Sequence, residues 1–94
     1  MKIRKVETDK KQYLDLLLLA DEQEEMIDRY LERGTMYVLE EDGVRAECVV
    51  TDEGGGILEL KNIAVRPGDQ GKGYGKALVD FLLHTYAGQY AVLQ

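Results

Sequence analysis

Between residues 57 and 82 the pattern of apolar and polar side chains changes from that of a strand to that of a helix. Residues 57–65 are mostly apolar and rich in β-branched side chains, as in a strand covered on both faces. Pro67 and Gly68 end this strand, because proline cannot donate a hydrogen bond to a neighbouring strand. From Tyr74 onward the apolar residues recur at helical spacing. The predicted helix face consists of Tyr74, Ala77, Leu78, Phe81, Leu82 and Thr85.

The N-terminal third predicts one strand followed by two helices. Residues 2–7 alternate apolar and charged side chains, which indicates a strand. Residues 10–20 predict a helix with a capping box of Asp9 and Gln12. Its leucines, including Leu16 and Leu19, should be heavily buried. Asp21 and Glu24 form a second capping pair for a helix that Gly34 ends.

The rest of the chain predicts a hairpin before the central stretch and a short strand after it. Residues 36–40 and 44–51 flank Asp42-Gly43, which favours a tight hairpin turn. Residues 90–94 form a short apolar end that predicts a last strand. The predicted order is β-α-α-β-β-β-α-β, a mixed α/β arrangement in a single domain spanning residues 1–94.

Composition limits the classes of function. A length of 94 residues with 45% hydrophobic side chains suits one small domain with a core. A formal charge of −6 argues against a general nucleic-acid binder. We expect no membrane span and no secretory signal, because no apolar run is long enough. Cys48 is the one cysteine and His84 the one histidine, so we expect a reducing, cytoplasmic location and no metal.

The glycine-rich segment Gln70–Gly75 predicts an anion site. Its glycines free backbone N–H groups in front of a helix, where phosphate most often binds. The Walker pattern fails, because Arg66 and Gln70 stand where its first glycine is required and neither lysine precedes Ser or Thr. The dinucleotide fingerprint is only partial, since its sixth position counted from Gly71 is Lys76.

The same segment resembles the acetyl-coenzyme A motif Q/R-x-x-G-x-G/A of the GNAT superfamily of N-acetyltransferases. Gln70, Gly73 and Gly75 fit that motif, and a strand ending at Pro67 precedes it. The resemblance spans essentially the whole chain and implies a GNAT fold with a mostly antiparallel central sheet. Family members usually continue with another helix and one or two further strands. The chain therefore resembles the N-terminal and central portion of the family fold, with the C-terminal elements missing.

The resemblance implies that acetyl-coenzyme A binds as cosubstrate in a gap beside the central strand, which a bulge opens. The Val65 N–H would polarise the thioester carbonyl, with Arg66 and Lys72 offering diffuse positive charge. The chemistry implied is acetyl transfer to a primary amine by direct attack on the thioester. The implied cofactor-binding residues are Ile63, Ala64, Val65, Gln70, Gly71, Lys72, Gly73, Tyr74, Gly75 and Lys76.

Glu59 resembles the position at which several GNAT members place a catalytic glutamate. A base is needed because a substrate amine with a pKa near 10 is mostly protonated at pH 7. The alternative is that Glu59 is a surface residue or pairs with Lys61. Six acidic residues between Asp21 and Glu32 would attract a cationic acceptor such as a polyamine, an aminoglycoside or a lysine tail, or would be an ordinary exposed helix face.

Three hypotheses follow. The chain is an acetyl-coenzyme A-dependent N-acetyltransferase, or a module that binds coenzyme A without turnover, or a structural fragment without activity. We expect no nucleic-acid or membrane partner. We also expect self-association, through the C-terminal strand, because a sheet that stops at this strand leaves an open edge.

Overall fold

Five strands form one sheet in the order β1-β2-β3-β4-β5 in the computed structural model, which describes residues 1–94. The first four strands pair antiparallel, and β5 pairs parallel with β4. The predicted order and the mixed α/β class with a mostly antiparallel sheet are confirmed. The elements are β1 Lys2–Val6, α1 Leu14–Ala20, α2 Glu24–Asp28, β2 Thr35–Glu40, β3 Val44–Gly54, β4 Ile57–Val65, α3 Tyr74–Thr85 and β5 Val92–Leu93.

The sheet has apolar cores on both faces. Val49 of β3 packs against α1 and α2, in a cluster that includes Leu17 and Ile27. Its neighbour Cys48 points to the other face and packs with Leu78 of α3, because successive side chains of a strand alternate between faces. Cys48 is fully buried as a free thiol, as a small apolar residue would be. No helix is long and apolar enough to span a membrane.

The two predicted capping pairs are wrong. Asp9 adopts a left-handed backbone (φ 51°) before a 3₁₀ turn over Lys10–Tyr13, and its side chain makes no capping hydrogen bond. Gln12 instead donates from Nε2 to the Asp9 carbonyl over 3.0 Å. The second helix begins at Glu24, three residues after Asp21. The N-cap of this helix is Gln23 and no side chain caps it, while the Asp21 carboxylate accepts a hydrogen bond from the Tyr30 hydroxyl at 3.2 Å.

Helix α1 is not buried along its whole apolar stripe. Leu16 and Leu17 are fully buried, as predicted, but Leu19 is 51% exposed. Leu19 lies in the last turn of α1, which ends at Ala20. There it lines a cleft next to β4 and does not pack into the core. The expectation of burial therefore fails for this one leucine.

Strand β4 changes register half-way along its length. Val49 of β3 lies opposite Asn62 and Val50 lies opposite Leu60, so Lys61 is the extra residue of a β-bulge. On its other side β4 pairs with β5 only at Ile57 and Leu58, followed by one hydrogen bond from the Leu60 N–H to the Gln94 carbonyl. Residues 61–65 of β4 are therefore paired on one side only.

Candidate active site

The free edge of β4 presents backbone hydrogen-bonding groups. The Arg66 N–H donates to the Arg45 carbonyl on β3 over 2.9 Å. Because N–H groups alternate between the two sides of a strand, those of Ile63 and Val65 point away from β3. No strand pairs with β4 on that side at these residues. The edge can therefore accept an extended ligand that bonds to the backbone as an added strand would.

The glycine-rich turn leaves the start of α3 open. Gly71 and Gly73 have φ angles of 83° and 87°, which side chains rarely tolerate. Gly73 is the N-cap of α3 and makes no side-chain capping bond. A Cβ at Gly71 or Gly73 would meet no atom within 4 Å, so the turn borders open space. The first-turn N–H groups and the positive end of the helix dipole are thus available to an anion.

The β4 edge and the glycine turn meet in one cleft of about 380 Å³. Five of the six lining residues are among the predicted cofactor-binding residues. The sixth, Leu19, was missed because its spacing is that of a buried helical residue. The lining residues are Leu19, Ile63, Ala64, Val65, Gln70 and Gly75.

The cationic side chains around the turn are all engaged with carboxylates. Lys72 Nζ lies 3.2 Å from Asp69 Oδ1, and Lys76 Nζ lies 2.6 Å from Asp80 Oδ2. Arg66 Nη1 lies 2.9 Å from Asp15 Oδ2. Their positive charge is therefore partly compensated. Backbone N–H groups are the donors in the turn that are not committed to such a pair.

Asp69 holds the turn in place, a role that the sequence analysis did not assign. Its side chain is only 10% exposed and contacts Lys72 within the turn and Arg45 of β3, the latter at 3.5 Å. The Asp69 N–H also donates to the Arg66 carbonyl over 2.8 Å. Only its i, i+3 spacing from Lys72 hinted at this contact. The contact with Arg45 comes from tertiary folding.

Glu59 lies on β4 before the bulge and pairs with Lys61. Lys61 Nζ is 3.1 Å from Glu59 Oε2 and 4.0 Å from Glu53 Oε2. The Glu59 side chain is 33% exposed. The structure thus shows the alternative in which Glu59 pairs with Lys61. The remaining exposed part of the Glu59 side chain contacts solvent.

The sequence model of a family described as "Acetyltransferase (GNAT) domain" matches residues 32–93, which include β2 through β5 and α3. The match covers more than half of the chain. The chain belongs to the GNAT acetyltransferase family.

Individual GNAT relatives agree with this assignment. A Bacillus subtilis protein described as the uncharacterized N-acetyltransferase YvbK is 42% identical over 66 residues, which are 69% of this chain and 43% of that protein. The structure of an IAA acetyltransferase from Bacillus cereus has 36% identity and a TM-score of 0.83, covering 94% of this chain and 59% of that one.

A third relative is a GNAT acetyltransferase from Elizabethkingia anophelis whose structure has acetyl-CoA bound. It superposes with a TM-score of 0.90 and 30% identity, covering 98% of this chain and 61% of that one. This GNAT chain therefore spans roughly two fifths to three fifths of the length of these three relatives.

On the α1 side of the sheet this GNAT chain also buries an unpaired acid. Glu47 of β3 is fully buried, and neither carboxylate oxygen has a hydrogen-bond partner. Burial raises the pKa of Glu47 from its ordinary value of 4.5 to about 8. Asn62 is also buried and donates from Nδ2 to the Leu17 carbonyl and to the Tyr30 hydroxyl, each over 3.0 Å. No group of three His, Cys, Asp or Glu residues suited to a metal is present.

Glu47 should make the stability of the fold depend on pH. Between pH 4.5 and about 8 the folded chain keeps the Glu47 proton that the unfolded chain has lost. The Glu47 contribution is therefore complete below pH 4.5 and falls as pH rises to about 8, by on the order of a few kcal/mol. Glu47→Gln should remove this part of the pH dependence, measured by urea unfolding at pH 5 and pH 8.5. The exposed control Glu22→Gln should leave this pH dependence in place. If the free energy of unfolding changed with pH equally in the Glu47→Gln and unaltered chains, the assignment to Glu47 would be contradicted.

Proposed function

We propose that this chain carries the acetyl-coenzyme A site of an N-acetyltransferase that acetylates a primary amine by direct attack on the thioester. The observation that carries the proposal is the meeting of two features in one cleft: the free β4 edge and the uncapped start of α3. Acetyl-CoA in the Elizabethkingia anophelis relative supports the choice of cosubstrate. In this proposal, residues 1–94 form a single portion of a GNAT-type acetyltransferase domain.

Binding uses mostly backbone groups. The N–H and C=O groups of Ile63 and Val65 pair with the pantetheine arm, while Ala64 and Gln70 complete the cleft wall. The pyrophosphate lies against N–H groups of the turn and the first turn of α3, where the dipole favours negative charge. The groups assigned to the pyrophosphate are those of Gln70, Gly71, Lys72, Gly73, Tyr74, Gly75 and Lys76.

Acetyl-coenzyme A supplies an acetyl group already activated as a thioester. The Val65 N–H donates to the carbonyl oxygen, which gains negative charge as the amine nitrogen bonds to the carbonyl carbon. Glu59 accepts the proton that the ammonium must lose before attack. Glu59 lies six residues, about 20 Å, along the strand from Val65, so this proton passes through water. The C–S bond breaks after the C–N bond has formed, and the leaving thiolate takes up the second proton that the nitrogen loses, so the overall reaction releases one proton.

The acidic side chains in and around α2 favour a positively charged acceptor. Lys11 bridges two acids of the α2 segment, Glu24 at 2.8 Å and Asp28 at 2.6 Å. Three further acids of the segment are exposed and form no ion pair: Glu22, Glu25 and Glu32. These acids favour the approach of a polyamine, an aminoglycoside or a lysine side chain. The buried free thiol of Cys48 suits a reducing compartment, so we place this reaction in the cytoplasm.

The alternative function is binding of coenzyme A without turnover. It is favoured because the roles assigned to the cleft all concern the cofactor. No feature of the cleft by itself forms a surface that would contact the acceptor amine. The two functions differ in one observable. Release of free thiol from acetyl-coenzyme A in the presence of an amine supports the transferase, and saturable binding without thiol release supports the binding module.

Gly73→Glu should weaken acetyl-coenzyme A binding by at least ~10-fold, because it places a carboxylate where the pyrophosphate lies. Isothermal titration measures the dissociation constant. Gly88→Glu is the matched control, since Gly88 follows the other end of α3, has φ 81° and also borders open space. Equal affinities for the two variants would contradict the placement of the pyrophosphate.

Glu59→Gln should lower kcat by on the order of 10²-fold and flatten its rise with pH, because the general base is removed. Thiol release with a screened primary amine gives kcat at each pH. Glu53→Gln is the control, because Glu53 also approaches Lys61 but lies on β3. A Glu59→Gln variant that keeps the unaltered pH profile would show that the glutamate only pairs with Lys61.

Self-association through the C-terminal strand remains our prediction. A groove of about 220 Å³ lies between β5 and the end of α3, and all nine lining residues are hydrophobic. Val92 and Leu83 in this groove are 45% and 54% exposed. A second copy that adds its β5 strand would cover both the groove and the short edge. Multi-angle light scattering should give a dimer mass, and Val92→Lys should give a monomer. A monomer for the unaltered chain well above micromolar concentration would contradict this prediction.

A further inference from the structure

Glu47 and Asn62 carry three buried oxygen atoms that accept no hydrogen bond. They are both carboxylate oxygens of Glu47 and Oδ1 of Asn62. The two side chains are 0% and 3% exposed. A buried polar atom without a partner costs free energy, and most such atoms in folded proteins have one. Once Glu47 has lost its proton, all three of these oxygens are acceptors, and no side chain of the protein donates to them.

These oxygens lie on the same face of the sheet as the reacting part of the cleft. Glu47 is directly opposite Ala64, and Asn62 is directly opposite Val49. Glu47 and Val49 are two residues apart on β3, so their side chains and those of their partners share one face. Ala64 lines the cleft and precedes Val65 along the chain. Glu47 thus lies on the neighbouring strand opposite Ala64, the residue before Val65, whereas Glu59 is about 20 Å along the strand from Val65.

We propose that Glu47 and Asn62 form the subsite that binds the ammonium group of the acceptor. The inference rests on the proposed N-acetyltransferase function and names the contacts of its second substrate. A primary ammonium carries three N–H donors and no acceptor, which matches the three unpartnered oxygens when Glu47 is ionised. The attraction between the Glu47 carboxylate and the ammonium charge orients the nitrogen beside Ala64. Leu19, which is 51% exposed, lines the cleft together with Ala64, so the ammonium would approach from this side of the cleft.

No charged side chain satisfies Glu47 in the folded chain. From the α2 side it faces the Tyr30 hydroxyl, which is bonded to Asp21 and to Asn62. On α1, Asp15 is paired with Arg66. On β4, Glu59 is paired with Lys61. An arriving ammonium is therefore the cation that this carboxylate lacks, and its binding should favour the ionised form of Glu47.

The test follows the Glu47 side-chain carboxyl carbon by NMR from pH 5 to pH 10 in the unaltered chain. Propylammonium chloride at saturation should lower the pKa of Glu47 by about 1 or more, because a nearby cation stabilises the carboxylate. Tetramethylammonium chloride at the same ionic strength has the same charge but no N–H donor, so it should leave the pKa unchanged. An unchanged Glu47 titration with propylammonium would overturn the proposal, and this experiment needs no variant.

Variants then separate this inference from the proposed function. Glu47→Gln should weaken propylammonium binding at least ~10-fold and keep the affinity for acetyl-coenzyme A, while Glu53→Gln should change neither. Propylammonium binding that is equally tight in Glu47→Gln would overturn the subsite. A chain that binds propylammonium as expected but not acetyl-coenzyme A would support the subsite and contradict the cofactor site.

Discussion

The arrangement of the site depends on where hydrogen bonding along β4 is interrupted. The bulge at Lys61 and the short pairing with β5 leave residues 61–65 bonded on one side only. A free edge in the middle of a fold is normally a liability, because it invites pairing with another chain. Here the edge lies against the uncapped start of α3. The same interruption thus leaves backbone donors free beside the helix start, where the proposed function places the cofactor.

The sequence predicted the elements well because their signals are local. Periodicity along residues 57–82 defines β4 and α3, and Asp42-Gly43 defines the hairpin between β2 and β3. The family resemblance also implied five of the six residues that line the cleft. The two capping pairs failed because Asp9 takes a left-handed backbone and Asp21 bonds to Tyr30 instead. The type of residue at these two positions does not determine the backbone angle of Asp9 or the partner of Asp21.

Features set by cross-strand register could not be predicted from the sequence. The family resemblance implied a bulge but not that Lys61 would form it. The buried position of Glu47 depends on its placement opposite Ala64 under α1, and in sequence it looks like an ordinary strand glutamate. Asp69 joins Arg45 to the turn across 24 residues. The roles of Glu47 and Asp69 therefore depend on contacts between distant parts of the chain, which their sequence neighbours do not indicate.

The central claim is that the free β4 edge and the glycine turn form one binding site. Amide ¹H–¹⁵N chemical shifts of the unaltered chain during titration with acetyl-coenzyme A test it directly. We predict that the N–H signals of Ile63, Val65, Gly71, Gly73 and Gly75 shift together with one dissociation constant, while those of β1 stay in place. Binding that shifts other residues, or no shift at these residues at saturating cofactor, would contradict the claim.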